Sequence, residues 1–446
     1  MKRMHQRFSR CLPAVSFSLM AVMASFALSC SLALAADDPY PYHADKDKLV
    51  VTRGDKILRT LPCERIELSG GGRWSKPDGH ENAYISTQIA KTSDGTLYVQ
   101  GGGAYGEFWV IKTVRNVMFE SKDQGRTWTS WNIDLPEDRV IGAFIVLKDD
   151  SFLCAATQPS DDRISYYRSL DRGKTWQLNS EIAAAPFQNV FVDGTLLQIQ
   201  DGTILSPLHF RVKPAEGEHL SLNLGLQFVM RSKDGGKTWE NGPNQSLWKL
   251  LIDAQLTVAP QGPESRVPGG TFPGCYETGL AQQPSGRLVA VLRFSGAPWP
   301  WHQRMREPWG GRDADNIGRI FRQVMFSTSE DGGLTWAMMK PFFDADGKPV
   351  IIQQETNGVL LPLSDDRIVL VHQRRFGPFQ NIGRVSADGG KTWLHDEYRL
   401  SAGFGFPSTL LLDDGTIVTA TGKSYGGKHA AEVIRWRLPS KQELVQ

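Results

Sequence analysis

This sequence has few Cys residues, a small net charge and no long run of charged residues. Five of its 446 residues are Cys, and 50 Lys and Arg stand against 48 Asp and Glu. So few Cys exclude a disulfide-dense scaffold, and no Cys/His spacing of the zinc type occurs. We therefore predict neither a metal nor a cofactor. The positive and negative charges nearly balance, so the protein lacks the positive electrostatic field that attracts nucleic acid. We therefore do not expect it to bind polyanions.

Long apolar runs are also absent except at the N-terminus, where one has the form of a secretory signal. It extends from Leu12 to Leu34 behind four basic residues, and Ala33-Leu34-Ala35 offers a small-residue cleavage site. A membrane anchor is the alternative, but the polar Asp37-Asp38-Pro39 that follows favours cleavage. We expect residues 1–35 to be removed and residues 36–446 to form one secreted or periplasmic domain without a membrane span.

A repeat of the form S-x-D-x-G-x-T-W dominates the rest of the chain. Asp and Gly suit a tight hairpin turn, Ser and Thr can satisfy backbone donors, and Trp can pack back between sheets. The five copies span residues 121–128, 169–176, 232–239, 329–336 and 386–393.

Short β-rich runs around a second type of turn alternate with these copies, and helical periodicity does not compete. The six second-type turns are centred on residues 94, 149, 201, 285, 365 and 414. Six such turns with five repeat copies predict an all-β fold, a six-bladed β-propeller of four-stranded antiparallel blades. The last blade lacks a repeat copy, and we expect Lys48-Leu49-Val50-Val51 or the strand after it to complete that blade.

The S-x-D-x-G-x-T-W repeat resembles the Asp box, or BNR repeat, of the sialidase superfamily, over about residues 70–438. The resemblance implies a sialidase-like propeller whose Asp boxes are structural and lie on the face opposite the active site. Blade topology then places the starts of first strands and the ends of second strands at the functional face. Candidates at those positions are His80, Glu81, Tyr105, Glu107, Asp161, Asp162, His209, Arg211, Tyr276, Glu277, Arg293, Glu355, His372, Arg374, Arg375, Phe404, Phe406, Lys423 and Tyr425.

Glu277 and Arg293 carry the most specific part of the resemblance. Cys275-Tyr276-Glu277-Thr278 opens one predicted strand and Arg293 closes the next, which is similar to a sialidase segment. In that family the Glu activates a nucleophilic Tyr and the Arg binds the carboxylate of the sugar. The alternative is that the two side chains simply pair across neighbouring strands.

Three typical sialidase elements are missing. The first-blade slot that carries an Arg in the family reads Ile85-Ser86-Thr87, and residues 101–119 contain Glu107 but no Asp. Phe406-Pro407-Ser408 stands where the family has its nucleophilic Tyr. We therefore do not expect the standard sialidase mechanism.

Other residues could supply the chemistry. Glu277 and Glu355 begin corresponding strands of adjacent blades and could act as acid and as nucleophile or base, with Tyr276 as a further catalytic candidate. His209 and His372, beside Arg374 and Arg375, would instead suit β-elimination from a uronate, with His as base. Further substrate-binding candidates are Arg211 and, in the insertion at residues 296–320, Trp299 and Trp301, whose rings can stack on sugars.

These patterns predict an exported glycoside hydrolase that removes an acidic terminal sugar from a glycan. A non-catalytic glycan-binding propeller and a polysaccharide lyase acting on a uronate are the alternatives, because fold does not fix function. The expected partner is a glycan or oligosaccharide and not nucleic acid, and the sequence leaves the oligomeric state open.

Overall fold

The computed structural model describes fifteen stretches of the chain, which are almost entirely β-structure. They are residues 47–68, 86–105, 113–136, 139–157, 163–183, 188–192, 194–211, 225–240, 274–296, 321–337, 339–350, 355–374, 380–402, 405–425 and 428–445. No helix in these stretches is long and apolar enough to cross a membrane. The expected signal at residues 1–35 lies outside them.

The regular elements of these stretches are twenty-four strands and one short helix. They are β1 (Lys48–Arg53), β2 (Lys56–Leu68), β3 (Ser86–Lys91), β4 (Leu97–Tyr105), β5 (Thr113–Ser121), β6 (Thr129–Ile133), β7 (Val140–Val146), β8 (Phe152–Thr157), β9 (Arg163–Ser169), β10 (Gln177–Ala183), β11 (Gln188–Phe191), β12 (Leu197–Gln198), β13 (Ile204–Arg211), β14 (Gly225–Ser232), β15 (Gly274–Gln282), β16 (Leu288–Gly296), β17 (Phe321–Ser329), β18 (Glu355–Pro362), β19 (Ile368–Arg374), β20 (Gln380–Ser386), β21 (Glu397–Ala402), β22 (Ser408–Leu411), β23 (Ile417–Tyr425), β24 (Lys428–Trp436) and α1 (Lys441–Val445).

Antiparallel meanders of consecutive strands are the building unit. The strands β3–β6 form one four-stranded sheet and β7–β10 another. In a third sheet, β11–β14 meet β15–β17 at a single parallel pair, Gly225 with Gly274. The largest sheet joins β18–β21 to β22–β24 through the β1–β2 hairpin.

The β1–β2 hairpin connects the outer edges of two meanders. Its first strand pairs with β21, for example Val51 with Tyr398, and its second pairs with β24, for example Cys63 with Trp436. Of the two strands expected to complete the last meander, it is therefore β2, the strand after Lys48–Val51, that does so.

Apolar clusters hold each meander against the next. Val289 and Val291 of β16, for instance, share one cluster with Ile368 and Leu370 of β19. Another cluster joins β3–β5 to β22–β24, with Val99 and Val433 among its members. The last meander thus packs on the first, and the arrangement is propeller-like.

The five S-x-D-x-G-x-T-W segments, here termed the repeat turns, share one hydrogen-bond pattern. In the third, the Ser232 hydroxyl donates to Asp234 Oδ1 at 2.8 Å and accepts from the Gly236 amide at 2.8 Å. The Thr238 hydroxyl donates to Asp234 Oδ2 at 2.6 Å. This internal bonding accounts for the Ser, Asp, Gly and Thr of the repeat as turn formers.

The repeat-turn aspartates should make stability depend on acid pH. Hydrogen bonds from the side chain and the backbone of Thr238 lower the pKa of Asp234 from 3.8 to about 2. A pKa lowered by folding stabilises the protein above the unfolded value, and this contribution is lost as the pH falls through the folded value. We expect the urea midpoint to fall between about pH 4 and pH 2. Asp234→Asn should make that fall shallower, and Asp55→Asn, in the exposed β1–β2 turn, is the control. An unchanged acid limb in Asp234→Asn would contradict this explanation.

Candidate functional site

The ends of the strands that lie away from the repeat turns carry buried polar side chains. In β16, Leu288 pairs with Ser329 of a repeat turn, whereas Arg293 lies at the other end and pairs with Val324. In β19, Ile368 pairs with Ser386 of the next repeat turn, and His372 lies toward the opposite end. On one face of β16 and of β19, the residues near the repeat turns are apolar and pack in the core. The same face carries Arg293 and His372 toward the other end of each strand. We call this end of β15, β16, β18 and β19 the mouth.

Glu277 and Arg293 form a close pair at the mouth. The register pairs Tyr276 with Arg293 and Thr278 with Leu292, so Glu277 is the extra residue of a β-bulge. Its carboxylate accepts a hydrogen bond from Arg293 Nη1 at 2.5 Å, with side chains 6% and 13% exposed. The cross-strand pairing that the sequence offered as an alternative is therefore present, and it lies where the site was expected.

Among the described residues, Glu277 is the one residue other than Gly with a positive φ inside a strand, since the four others lie in turns. Its φ is +41°, in the left-handed region that residues with a Cβ seldom adopt. Such a conformation costs about 1–3 kcal/mol and persists only where the surrounding structure imposes it. The bulge turns the carboxylate toward Arg293, and an observed outlier of this kind points to a functional position.

Glu277 and Glu355 lie in corresponding strands but not at corresponding positions. Counting from the turn, Gln282 pairs with Leu288 and Pro362 pairs with Ile368. Asn357 therefore takes the place of Glu277 and is also the extra residue of a bulge, whereas Glu355 pairs with Arg374 two positions away. The sequence analysis expected both residues to begin their strands; Glu355 does, whereas Glu277 is the fourth residue of β15.

A second polar cluster surrounds Glu397, the first residue of β21, and reaches Arg374 at the end of β19. Its Oε1 accepts from Arg374 Nη2 at 2.5 Å and Arg384 Nη2 at 2.6 Å, and its Oε2 lies 2.6 Å from Arg399 Nη2. Burial alone would raise the pKa of Glu397, but the three guanidinium charges outweigh it and hold the pKa at about 2. His372 is fully buried, and its Nε2 accepts from Arg384 Nε at 3.3 Å.

The sequence analysis missed Glu397, Arg384 and Arg399. The sequence pattern that could have revealed them is a charged residue at every second position of an otherwise apolar strand. In Glu397-Tyr398-Arg399-Leu400 this pattern places both charges on one face of the strand. The sequence analysis also missed Arg139, which is 1% exposed beside the start of β7 and whose carbonyl accepts from Asn116 Nδ2 at 2.7 Å.

The remaining candidates predicted from the sequence lie in several different parts of the chain. His209 is 3% exposed and pairs in register with Gln227. The Phe406 carbonyl accepts from the Thr87 hydroxyl at 2.7 Å, beside the start of β22. For Tyr105, Arg211, Tyr276, Glu355, Lys423 and Tyr425 the structure gives only the strand positions. Outside the described residues lie His80, Glu81, Glu107, Asp161, Asp162, Trp299, Trp301, Arg375 and Phe404.

No group of three or more His, Cys, Asp and Glu within the described stretches is arranged to hold a metal ion. The arrangement at the mouth therefore offers carboxylates and guanidinium groups. A carboxylate can transfer protons or attack a carbon, and a guanidinium group can bind an anion through two parallel hydrogen bonds.

Comparisons with solved structures show the fold. No protein-family model matches the chain, and no curated protein matches it in sequence. A protein of unknown function from Dyadobacter fermentans DSM 18053 is similar with TM-score 0.55 and 18% identity, over 84% of this chain and 99% of that one. The Trypanosoma rangeli sialidase in complex with the inhibitor DANA is similar with TM-score 0.53 and 12% identity, over 86% of this chain.

This chain spans 61% of the length of that sialidase. A polysaccharide lyase, ulvan lyase, has TM-score 0.45 and 14% identity, over 84% of this chain and 81% of that one. At these identities, the two likenesses above a TM-score of 0.5 show an all-β, propeller-like fold like that of sialidases.

Proposed function

We propose that the protein is an exported, sialidase-like six-bladed propeller that acts as an exo-glycoside hydrolase on a glycan with an acidic terminal sugar. The observation that carries the proposal is the buried Glu277–Arg293 pair at the mouth, held in a strained bulge. The N-terminal signal motif supports export.

Contacts between neighbouring turns support the count of six blades. The Ser93 amide donates to Asp150 at 2.8 Å, the Lys148 amide to Gln198 at 2.8 Å and the Gln200 amide to Gln282 at 2.7 Å. Lys91 Nζ donates to Asp413 at 2.8 Å and so links the first meander to the last. With β2 as the outer strand of the last meander, the six turns correspond to one ring of blades.

The chemistry assigns different roles to the two members of the pair. Arg293 binds the carboxylate of the sugar, because a guanidinium group matches a carboxylate in shape and charge. Glu277 takes a proton from the attacking water, or forms an ester with the anomeric carbon that water then hydrolyses. In either case the glycosidic C–O bond breaks as the second carboxylate gives a proton to the leaving oxygen. Glu355, on the neighbouring first strand, is the candidate for the second carboxylate.

A non-catalytic glycan-binding propeller is the second candidate. It is favoured by Phe406, whose ring cannot act as a nucleophile and which stands where sialidases have a Tyr. The lyase alternative gains less support, since His372 is 0% exposed, against 6% for Glu277, and its Nε2 lone pair already accepts a hydrogen bond from Arg384 Nε.

A substrate panel separates these functions. Residues 36–446 are incubated with fluorogenic sialoside, uronide, arabinoside and rhamnoside, while the absorbance of an unsaturated product reports lyase activity on polyuronates. We expect release from the sialoside or the uronide and none from the neutral sugars. Release from neutral sugars alone, or formation of the unsaturated product alone, would overturn the proposal. Binding of acidic sugars without any turnover would favour the binding protein.

A further inference from the structure

We infer that Gly194 and Thr195, between β11 and β12, are positioning residues that hold Glu277 in its strained bulge and so set the rate of the reaction. The inference rests on the proposed function, and neither residue needs to touch the sugar. A left-handed φ at a residue with a Cβ persists only where neighbouring structure imposes it. At Glu277 that structure is the backbone of the two meanders that pack against β15.

A hydrogen bond from the β11–β14 meander fixes the residue that follows Glu277. The Thr195 amide donates to the Thr278 carbonyl at 3.1 Å, across the boundary between the two meanders. Thr278 is buried, and its pairing with Leu292 is the first regular one after the bulge. The carbonyl that directly follows the strained residue is therefore held by a donor on a neighbouring meander.

Gly194 makes this contact possible. A Cβ at Gly194 would lie 2.4 Å from the Thr278 carbonyl oxygen and 2.7 Å from Cγ of Pro207. One of these atoms belongs to the backbone and the other to a proline ring, so neither can turn aside as a flexible side chain could. The chain between β11 and β12 thus lies directly against the backbone of β15, and only glycine permits so close an approach.

The β18–β21 meander also packs closely on β15. A Cβ on Gly279 would lie 2.2 Å from the Gly358 carbonyl oxygen. Thr278 and Gly279, which directly follow the extra residue of the bulge, are thus held by the backbones of two neighbouring meanders. Since these two residues have no room to shift, the strand accommodates the additional residue through the left-handed conformation of Glu277.

The alternative is that these contacts only hold the meanders together, and an ester bond separates the two roles. Lactic acid at residue 195, compared with Thr195→Ala, replaces the amide N–H by an ester oxygen and removes only the donor to Thr278. The matched control is glycolic acid in place of Gly202, whose amide donates to the Ile199 carbonyl at 3.0 Å in the turn away from the mouth. Both esters are assayed as mature protein on the fluorogenic sialoside or uronide that the panel identifies.

We expect the ester at residue 195 to lower kcat about tenfold with KM within about twofold, because the lost hydrogen bond and the backbone strain are of similar size. The ester at residue 202 should leave kcat unchanged, although each ester removes one backbone hydrogen bond and should lower the urea midpoint alike. Combined with Glu277→Gln, the ester at residue 195 should cause no further loss, since it acts through that carboxylate. Equal effects of the two esters on kcat, or a further loss in Glu277→Gln, would overturn the positioning role.

Crystal structures of the residue-195 ester and of Gly194→Ala test the inference without any activity. We expect the φ of Glu277 to become negative in both, because the backbone that imposes the left-handed form is released in one and displaced in the other. A φ that stays near +41° in both would overturn this inference alone. Silence across the whole substrate panel would overturn the proposed function, whereas a changed φ with unaltered kcat would overturn the claim that these residues set the rate.

Discussion

Glu277→Gln is expected to lower kcat/KM on the acidic glycoside by at least about a hundredfold while the protein stays folded. Glutamine has the size of glutamate and can still accept a hydrogen bond from Arg293, so the bulge and its contact remain. An amide cannot take up a proton or form the bond to the anomeric carbon. The loss should therefore appear in kcat, with little change in KM, in initial-rate measurements on the substrate found in the panel.

The chain offers a matched control in Glu181→Gln. Glu181 also pairs with an arginine on a neighbouring strand, Arg163, at 3.4 Å, but on the outer strands of the β7–β10 meander. Its replacement should leave kcat/KM unchanged. A Glu277→Gln protein with wild-type activity would remove Glu277 from the chemistry, and an equal loss in Glu181→Gln would indicate a general effect on folding.

Glu397→Gln is expected to reduce the free energy of unfolding by about 3–5 kcal/mol. Three guanidinium groups lie around this buried carboxylate, and removal of its charge leaves their mutual repulsion without the central anion. A buried charge that loses its partner costs far more than the ion pair itself contributed. Denaturation in urea, monitored by tryptophan fluorescence, measures the change from the midpoint and slope.

Glu181→Gln is again the reference, because the Arg163–Glu181 pair is largely exposed, with side chains 47% and 33% accessible. Exposed pairs contribute about 0–1 kcal/mol, and its replacement should cost no more than that. If Glu397→Gln were as stable as wild type, the Glu397 cluster would not be the buried electrostatic unit that the structure describes.

The fold could be predicted from the sequence because the motifs that specify it are local. Each repeat turn forms its hydrogen bonds within eight residues, as between Ser232 and Thr238, so the motif specifies its own geometry. In the same way, the short β-rich runs around the second type of turn indicated where the strands lie. The closing strand was left between two choices, because pairing of β2 with β24 joins residues near opposite ends of the chain.

Only part of the candidate site could be predicted from the sequence. Glu277 and Arg293 could be found because both lie at strand ends beside one short turn. The offset between Glu277 and Glu355 was missed although it can be counted from the sequence, because Glu277 lies eight residues before Ser285 and Glu355 lies ten before Asp365. The two bulges fall at corresponding positions and so leave this offset unchanged. The Glu397 cluster depends on side chains from four strands, including Thr52 of β1, and no local pattern brings those strands together.

The most direct test of the central claim is a crystal structure of the Glu277→Gln variant soaked with the acidic glycoside from the panel. The account predicts that the sugar lies at the strand ends away from the repeat turns, with its carboxylate within hydrogen-bond distance of Arg293. A sugar bound at the repeat-turn end, or one at the mouth with its carboxylate directed away from Arg293, would contradict the account.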